Sequence, residues 1–458
     1  MHRFLKYLLP VSIVSLLLMY ANFINEPDRT KVEHDHTNGY HEHSHSEKVA
    51  LPEKLLFPSR DPDRVILNIS ETAETAVAIN WRTDTTISIG VVQWAIATPG
   101  PDFISTIKTL PAQREYLRVT SATQPAVSAH YYSADLSNLQ PGVKYLYRVG
   151  TEGWWSEWHQ FQMPKASGKL SFVYFGDAQN DIKSMWSRVI REAYKTLPTV
   201  DFMLHAGDLI NRSDVDAEWG EWFYAGSFIH STVPSMMTPG NHEYGRDGLL
   251  SPQWRKQFNL PANGPQGLSE TCYAVNFSNL KVISLDAEQI DESPLFREQQ
   301  ARWLDSILTK DPRRWTAVTL HYPLFSTSPN RDNAMLINTF KPIFDKHKVD
   351  IVLQGHDHAY GRGLVNNALA GNNTRSESGT MYVVSVSGPK MYDITNADWM
   401  QRKARNTQLF QVITIENNTL AYQAYTANGE LYDRFDLVKS GKKGNKLVNR
   451  VPDVPERK

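Results

Sequence analysis

The sequence predicts two folded domains in series: an all-β sandwich over residues 61–165, then an α/β domain with mixed sheets over 168–440. Three observations predict this. Short runs rich in β-branched and aromatic residues, separated by turn signals, fill the first region. From Lys169 onward, buried-type strands alternate with stretches of helical periodicity. A last group of closely spaced strands then follows without helices between them.

In the first region the strands are Val65–Ile69, Val77–Trp81, Val91–Ala95, Tyr116–Thr120, His130–Asp135 and Tyr145–Val149. Asn138-Leu139-Gln140-Pro141-Gly142 is the turn feeding the last of them, and Trp81 in mid-strand is a core residue. In the second region Leu170–Phe175 is a strand. Asp181–Leu197 is a helix, because Met185, Val189, Ala193 and Leu197 recur at helical spacing. Asp201–Ala206, Thr316–Leu320 and Asp350–Leu353 are buried strands. Phe296–Leu308 is an amphipathic helix. Met381–Val386, Phe410–Ile415, Leu420–Tyr425 and Leu431–Leu437 read as consecutive strands of an antiparallel edge. The remainder, 441–458, is a basic tail without core residues.

Residues 1–25 resemble a signal peptide or signal anchor: His2, Arg3 and Lys6 precede an apolar run from Tyr7 to Ile24. Cleavage and anchoring both remain open, and the folded domains are expected outside the cytoplasm: periplasmic, extracellular or membrane-anchored. Residues 26–60 are a polar linker too poor in apolar surface to offset chain entropy. It carries His34, His36, His41, His43 and His45, either a weak metal scavenger or a solvated spacer. With 48 basic and 49 acidic residues the formal charge is −1, so no general nucleic-acid-binding surface is implied. A membrane is implied only through the N-terminal segment. The single cysteine, Cys272, excludes an intramolecular disulfide and reads as a small apolar filler.

Chemistry concentrates in five segments, each placed after a buried strand. They are Gly176-Asp177-Ala178-Gln179, Gly207-Asp208-Leu209-Ile210-Asn211, Gly240-Asn241-His242-Glu243, His321, and Gly355-His356-Asp357-His358. Loops at the carboxyl ends of strands gather at one crevice, so these side chains should converge. Glycines 176, 207, 240 and 355 are expected to let the chain turn sharply there. Three imidazoles, two carboxylates and an amide exceed the needs of one four-coordinate ion. They suit two ions, on the order of 3.5–4 Å apart, that share a carboxylate and activate a hydroxide for attack at phosphorus. A lone Gly-Asp or histidine is usually structural, and His159, His205, His230 and His347 are read as core or surface residues. The ordered set of five is what carries the functional reading.

These segments resemble the signature blocks of calcineurin-like metallophosphoesterases, over about residues 168–438. Asn80-Trp81, Leu139 through Gly150, and Trp154-Trp155 resemble the fibronectin type III-like domain that precedes the catalytic domain of purple acid phosphatases. The resemblance implies two mixed sheets flanked by helices. It implies one metal on Asp177, Asp208 and His358, and another on Asn241, His321 and His356, with Asp208 bridging. It further implies that His242 contacts the phosphate and protonates the leaving oxygen, with Glu243 placed to orient it. Asn211, Tyr360 and Arg362 are expected to border the substrate, and Gly361 stands where an acidic residue is usual.

Two departures matter, the first from the purple acid phosphatase pattern and the second from that of many other relatives, whose histidine purple acid phosphatases also lack. Asn211 stands where a tyrosine is expected, which calls a ferric preference and the purple colour into question. Gln179 stands where many relatives carry histidine and is an oxygen donor that could hold or support an ion. Iron, zinc and manganese all remain open. Asn-x-Ser/Thr triplets at Asn68, Asn211, Asn276, Asn372 and Asn417 are potential glycan acceptors, although Asn211 falls in the site itself.

The leading expectation is hydrolysis of phosphate monoesters, with phosphodiester or nucleotide hydrolysis as the alternative on the same site. A non-catalytic, metal-binding surface protein is the alternative of a different class. Substrate choice is expected from loops 211–229, 244–270 and 325–334, where Trp219, Trp222, Phe223 and Tyr244 either stack on a ring or simply pack. Oligomeric state is not legible.

Overall fold

The computed structural model describes residues 52–329, 331–366, 378–439 and 445–457. The export segment, the histidine tract and Asn372 lie outside the described residues. Among the described residues, no helix is long and apolar enough to cross a membrane.

The sandwich consists of β1 (Asp63–Ile69), β2 (Val77–Thr83), β3 (Val91–Ile96), β4 (Lys108–Pro111), β5 (Gln113–Val119), β6 (Val127–Leu136), β7 (Lys144–Thr151), β8 (Trp154–Trp155) and β9 (His159–Gln162). One sheet runs β5-β6-β2-β1. The other runs β4-β3-β7, with β8 and β9 both on β7. Between them lies a separate core of Leu67, Ile79, Trp81, Val92, Tyr132, Tyr147 and Phe161. Trp81 is buried and stacks on Tyr132 at 5.1 Å. β2 is buried along its whole length and β1 along most of it, because one face meets the other sheet and the opposite face packs on the second domain: Leu67 and Ile79 lie in the sandwich core, Ile66 and Ile69 in the next.

The second domain is built on two sheets packed face to face. In the first, β10 (Leu170–Phe175), β11 (Phe202–His205) and β12 (Ser235–Met237) run parallel. Beside β10 the sheet continues antiparallel through β20 (Leu409–Glu416), β21 (Thr419–Thr426), β22 (Leu431–Lys439) and β23 (Asn445–Asn449). The second sheet comprises β13 (Tyr273–Asn276), β14 (Leu280–Ser284), β15 (Trp315–Thr319), β16 (Ile351–Gln354), β17 (Tyr360–Val365), β18 (Ser378–Val384) and β19 (Arg402–Ala404). Its order is β13-β14-β15-β16-β18-β17-β19.

Side-chain alternation builds the layers. Val282, Ala317, Ile351, Leu353, Met381 and Val383 face the first sheet. Their neighbours Ile283, Val318, Val352, Tyr382 and Val384 face helices Pro294–Lys310 and Ala334–His347 through Leu304, Leu308, Phe340 and Phe344. On the far side, helix Ser187–Thr196 covers the first sheet with Val189, Ile190 and Ala193, following a π-turn at Ile182–Trp186. This is two mixed sheets flanked by helices. A parallel pairing of β1 with β12 at Asn68 and Ser235 joins the sandwich sheet edge to edge with the first sheet.

Two expectations need correction. Met381–Val386 is not part of the antiparallel edge: β18 lies inside the second sheet, parallel to β16. Its uninterrupted apolar run reflects burial on both faces, which an edge strand lacks. The end of the chain is also not a plain tail. β23 pairs with β22, and buried Asn445 donates to Asp350 at 2.6 Å. A polar residue with a buried carboxylate partner gives no apolar signal, so the strand was illegible.

Candidate metal centre

The five segments do meet. Asp177 follows β10, Asp208 follows β11, Asn241 and His242 follow β12, His321 follows β15, and His356 and His358 follow β16, all at carboxyl ends of strands. Ligand atoms of Asp208, His321 and His356 lie within 4.8 Å of one another, as do those of Asp177, Asp208 and His358. Asp208 is common to both groups. The Oδ1 of Asn241 lies 3.1 Å from His321 Nε2, completing the second group. All but Asn241 are buried.

Backbone carbonyls set the imidazole tautomers. His321 Nδ1 donates to the Ala206 carbonyl at 2.9 Å, and His358 Nδ1 to the Lys390 carbonyl at 2.9 Å. A carbonyl only accepts, so each Nδ1 carries the hydrogen and each Nε2 turns a lone pair toward the carboxylates. His321 Nε2 is 3.1 Å from Asp208 Oδ2, and His358 Nε2 is 3.2 Å from Asp177 Oδ2.

The residues fit a pair of cations. Two buried oxygens, Asp177 Oδ2 and Gln179 Oε1, accept no hydrogen bond, a costly arrangement unless a positive ion meets them. Burial raises the Asp208 carboxyl, but the His321 and His242 imidazoles outweigh it and hold the group well below the usual carboxylate range. Burial opposes protonation of His321, yet the Asp208 and Asp177 carboxylates push it up to about 10. The carboxylates thus demand positive charge and keep a proton on His321 unless a cation replaces it.

The glycines are needed for space more than for turning. Only Gly207 of the four has a left-handed backbone, at φ 91°. A Cβ on Gly240 would overlap the Asp208 carboxylate and backbone nitrogen, and one on Gly355 would overlap Asp177 Oδ1. The strain sits on the ligands: Asp208, His356 and His358 have φ of 52°, 72° and 46°.

Gln179 is buried beside the first group, its Nε2 donating to Asp208 Oδ2 at 2.9 Å and lying 3.0 Å from His358 Nε2. It therefore supports the two ligands directly. His242 is partly exposed. Its backbone N–H donates to Asp208 Oδ1 at 3.0 Å, and its Nε2 lies 4.0 Å from Asp208 Oδ2. Its Nδ1 donates to the Asn211 carbonyl at 2.7 Å.

Three expected roles change. Glu243 does not orient His242. Its carboxylate is buried and accepts from the N–H groups of Asp208 (2.9 Å), Leu209 (2.8 Å) and Gly240 (2.7 Å), so it ties two ligand loops together. Burial and the Asp208 charge push it up to about 8, against the pull of those N–H groups. Gly240 has no side chain to complete a capping box, but a glutamate three residues after it, reaching back to its N–H, is the half of that motif that could have revealed this. Asn211 acts on His242 through its backbone carbonyl. Tyr360 and Arg362 do not border the crevice: both are buried, and both bond Asp433, at 2.7 and 2.8 Å. They sit on β17 in the second sheet, and their side chains face Asp433 on β22 of the first.

The other readings follow burial. Cys272, Trp219, Trp222, Phe223 and Tyr244 are packing residues, and Tyr244 also donates to Asp286 at 2.6 Å. His205, His230 and His159 are buried, and His347 lies on Asp305. Asn68 is fully buried against Asn80 at 2.9 Å, where a glycan has no room. Backbone partners such as Ala206, Lys390 and Asn211 carried no sequence signal, since any residue type supplies a carbonyl.

Comparison with known proteins agrees with this geometry. Residues 170–360 match the calcineurin-like phosphoesterase family, and residues 62–163 match the purple acid phosphatase N-terminal domain. An uncharacterised protein of Mycobacterium tuberculosis is 26% identical over 346 residues, 68% of this chain and 64% of its own length. Human acid phosphatase type 7 is 26% identical over 257 residues, 51% of this chain and 57% of its own. The chain thus spans less than two thirds of the length of these curated relatives. The purple acid phosphatase from yellow lupin (Lupinus luteus) seeds superposes with a TM-score of 0.67 at 18% identity, over 82% of this chain and 74% of that one, a likeness of fold. The chain therefore carries a calcineurin-like metallophosphoesterase domain behind a purple acid phosphatase N-terminal domain, with two candidate metal donor groups on the strand ends of the first.

Proposed function

We propose that this chain hydrolyses phosphate monoesters at a two-ion centre. The observation that carries the reading is Asp208, whose carboxylate belongs to both donor groups while His242 Nε2 stands 4.0 Å away at the rim. Asp177, Asp208 and His358 would hold one ion, supported by Gln179, and Asn241, His321, His356 and Asp208 the other. Bound there, the ions would neutralise phosphoryl oxygens and activate water for displacement at phosphorus.

The chain's own groups supply the rest. Glu243 and the Ala206 and Lys390 carbonyls fix the donors in place before substrate arrives, so little reorganisation accompanies reaction. His242 keeps its Nδ1 hydrogen on Asn211, so it acts as an acid in its doubly protonated form, giving the Nε2 proton to the departing alkoxide and ending as the neutral Nδ1–H imidazole. With Asn211 in place of a tyrosine, no phenolate is offered from that position, so an iron-loaded sample should show no phenolate charge-transfer band.

The test pairs elemental analysis with mono- and diester substrates, on wild type and Asp208→Asn. Two metal equivalents with monoester turnover, both lost in the folded variant, support the reading. A variant with normal metal and turnover would sink it, and a wild type active only on diesters would move the substrate class. Export is part of the same proposal, resting on the apolar run Tyr7–Ile24. Cell fractionation should find the protein outside the cytoplasm, and a cytoplasmic pool alone would refute it.

A further inference from the structure

The helix Asp216–Gly226 begins just after the segment that holds His242, and its first turn is tied at both ends. Toward the site, Glu218 Oε2 accepts the N–H of Asn211 at 2.7 Å and of Arg212 at 2.8 Å, while Oε1 accepts Arg212 Nε at 2.9 Å. One carboxylate thereby fixes two successive peptide groups. The Asn211 carbonyl, in the same short segment, is the acceptor for His242 Nδ1.

Away from the site, buried Asp216 is gripped by the sandwich. Arg64 donates to its two oxygens at 2.9 and 2.7 Å, and to its carbonyl at 3.1 Å. Arg82 adds a contact at 3.2 Å, and Gln253 one at 2.6 Å. Arg64 has φ 51° at a register shift between Asp63 and Ile66, a bulge that re-aims its side chain toward the second domain. Burying two guanidiniums and a carboxylate is weak evidence for stability, because desolvation offsets the attraction. Such a cluster does fix a geometry.

We propose that Glu218 is the positioning residue for His242, and that Arg64 and Arg82 of the N-terminal domain hold it in register through Asp216. This rests on the phosphoesterase reading for its consequence. The function assigned to the sandwich is then to set the angle of the proton-donating imidazole. Glu218 touches neither donor group, so its loss should leave the ions alone.

The test is Glu218→Gln, which keeps size but loses the charge that draws both peptide N–H groups to Oε2 and sets an amide NH2 against Arg212 Nε in place of an acceptor. Turnover of an alkyl phosphate should fall about 10²-fold, the size expected of a misplaced group. An aryl phosphate with a good leaving group should lose far less, and KM and metal content should stay near wild type. Combined with His242→Ala, the variant should add nothing further. Independently of activity, two-bond proton–nitrogen spectra of the zinc-loaded protein should show His242 losing its fixed Nδ1–H form. If Glu218→Gln fails to fold, Arg64→Lys must give the same spectral change. Equal losses on both substrates, additivity with His242→Ala, or an unchanged His242 spectrum would overturn the proposal. A wild type inactive on both esters, with the spectral change present, would overturn the phosphoesterase reading and leave the positioning intact.

Discussion

At the scale of single residues, the site is defined by atoms that have one permitted direction. His242 illustrates it: Asn241 already faces His321, and the next side chain must project elsewhere, here over the Asp208 edge. His242→Ala should cut turnover of an alkyl phosphate by roughly 10²–10⁴-fold, and of an activated aryl phosphate much less, with metal content unchanged. Parallel kinetics on the two esters check it, and loss of a metal equivalent would show His242 to be a ligand instead. Gly240 makes the complementary case. Its missing Cβ is the space the shared carboxylate occupies, so Gly240→Ala should release metal although the residue bears no donor. Metal analysis of the folded variant decides it, and full loading would refute the steric argument.

At the scale of elements, buried carboxylates fasten loops to one another. Glu243 joins the loop after β11 to that after β12. Asp357, between two ligand histidines, accepts from Ser326 at 2.8 Å and from the Thr327 N–H at 2.6 Å, fastening the loop before helix Ala334–His347. Glu270 does the same at lower cost, accepting from the Leu260 N–H at 3.2 Å. Burial pushes Glu270 up to about 7. Between an unfolded value of about 4.3 and that folded value the folded chain holds the extra proton, so stability falls as pH rises through this window. Glu270→Gln keeps an acceptor without the ionisation. Its melting temperature should exceed wild type at pH 8 and converge with it near pH 4. Melting curves at the two values check the sign, and a variant destabilised at pH 8 would contradict it.

For the whole molecule, the joint between domains is made of sheet and charge together. The β1–β12 pairing is a single register position, and the Arg64, Arg82 and Asp216 cluster shares the joint with Ile66 and Ile69 packed into the second domain's core and with the bonds of Tyr147 to Ser231 and Asn80 to Lys256. The two guanidiniums outweigh burial and hold Asp216 below the usual carboxylate range, so its contribution is present above an unfolded value of about 3.9 and lost in strong acid. Asp216→Ala would leave both guanidiniums without their shared partner and should cost about 3–5 kcal/mol. Denaturant titration measures it, and a change under about 1 kcal/mol would mean that the joint relaxes freely.

The sequence by itself determined the two-domain order, most strands and the set of converging donors. Those properties are local: a run of β-branched and aromatic residues between turn signals records a strand, and a glycine before a donor after an apolar run records a strand end. Tertiary structure alone decided the rest. Tyr360 and Arg362 follow the last histidine closely, yet a strand carries them into the core, where Asp433 satisfies them. Glu243 adjoins His242 but turns to three N–H groups of the loop after β11 and to Gly240 in its own, while a carbonyl at Asn211 takes the imidazole. Adjacency in sequence gives no direction to a side chain. Direction is set by which buried partner each polar atom must find, and those partners, side chains such as Asp433 and carbonyls such as those of Ala206 and Asn211, are distant in the chain.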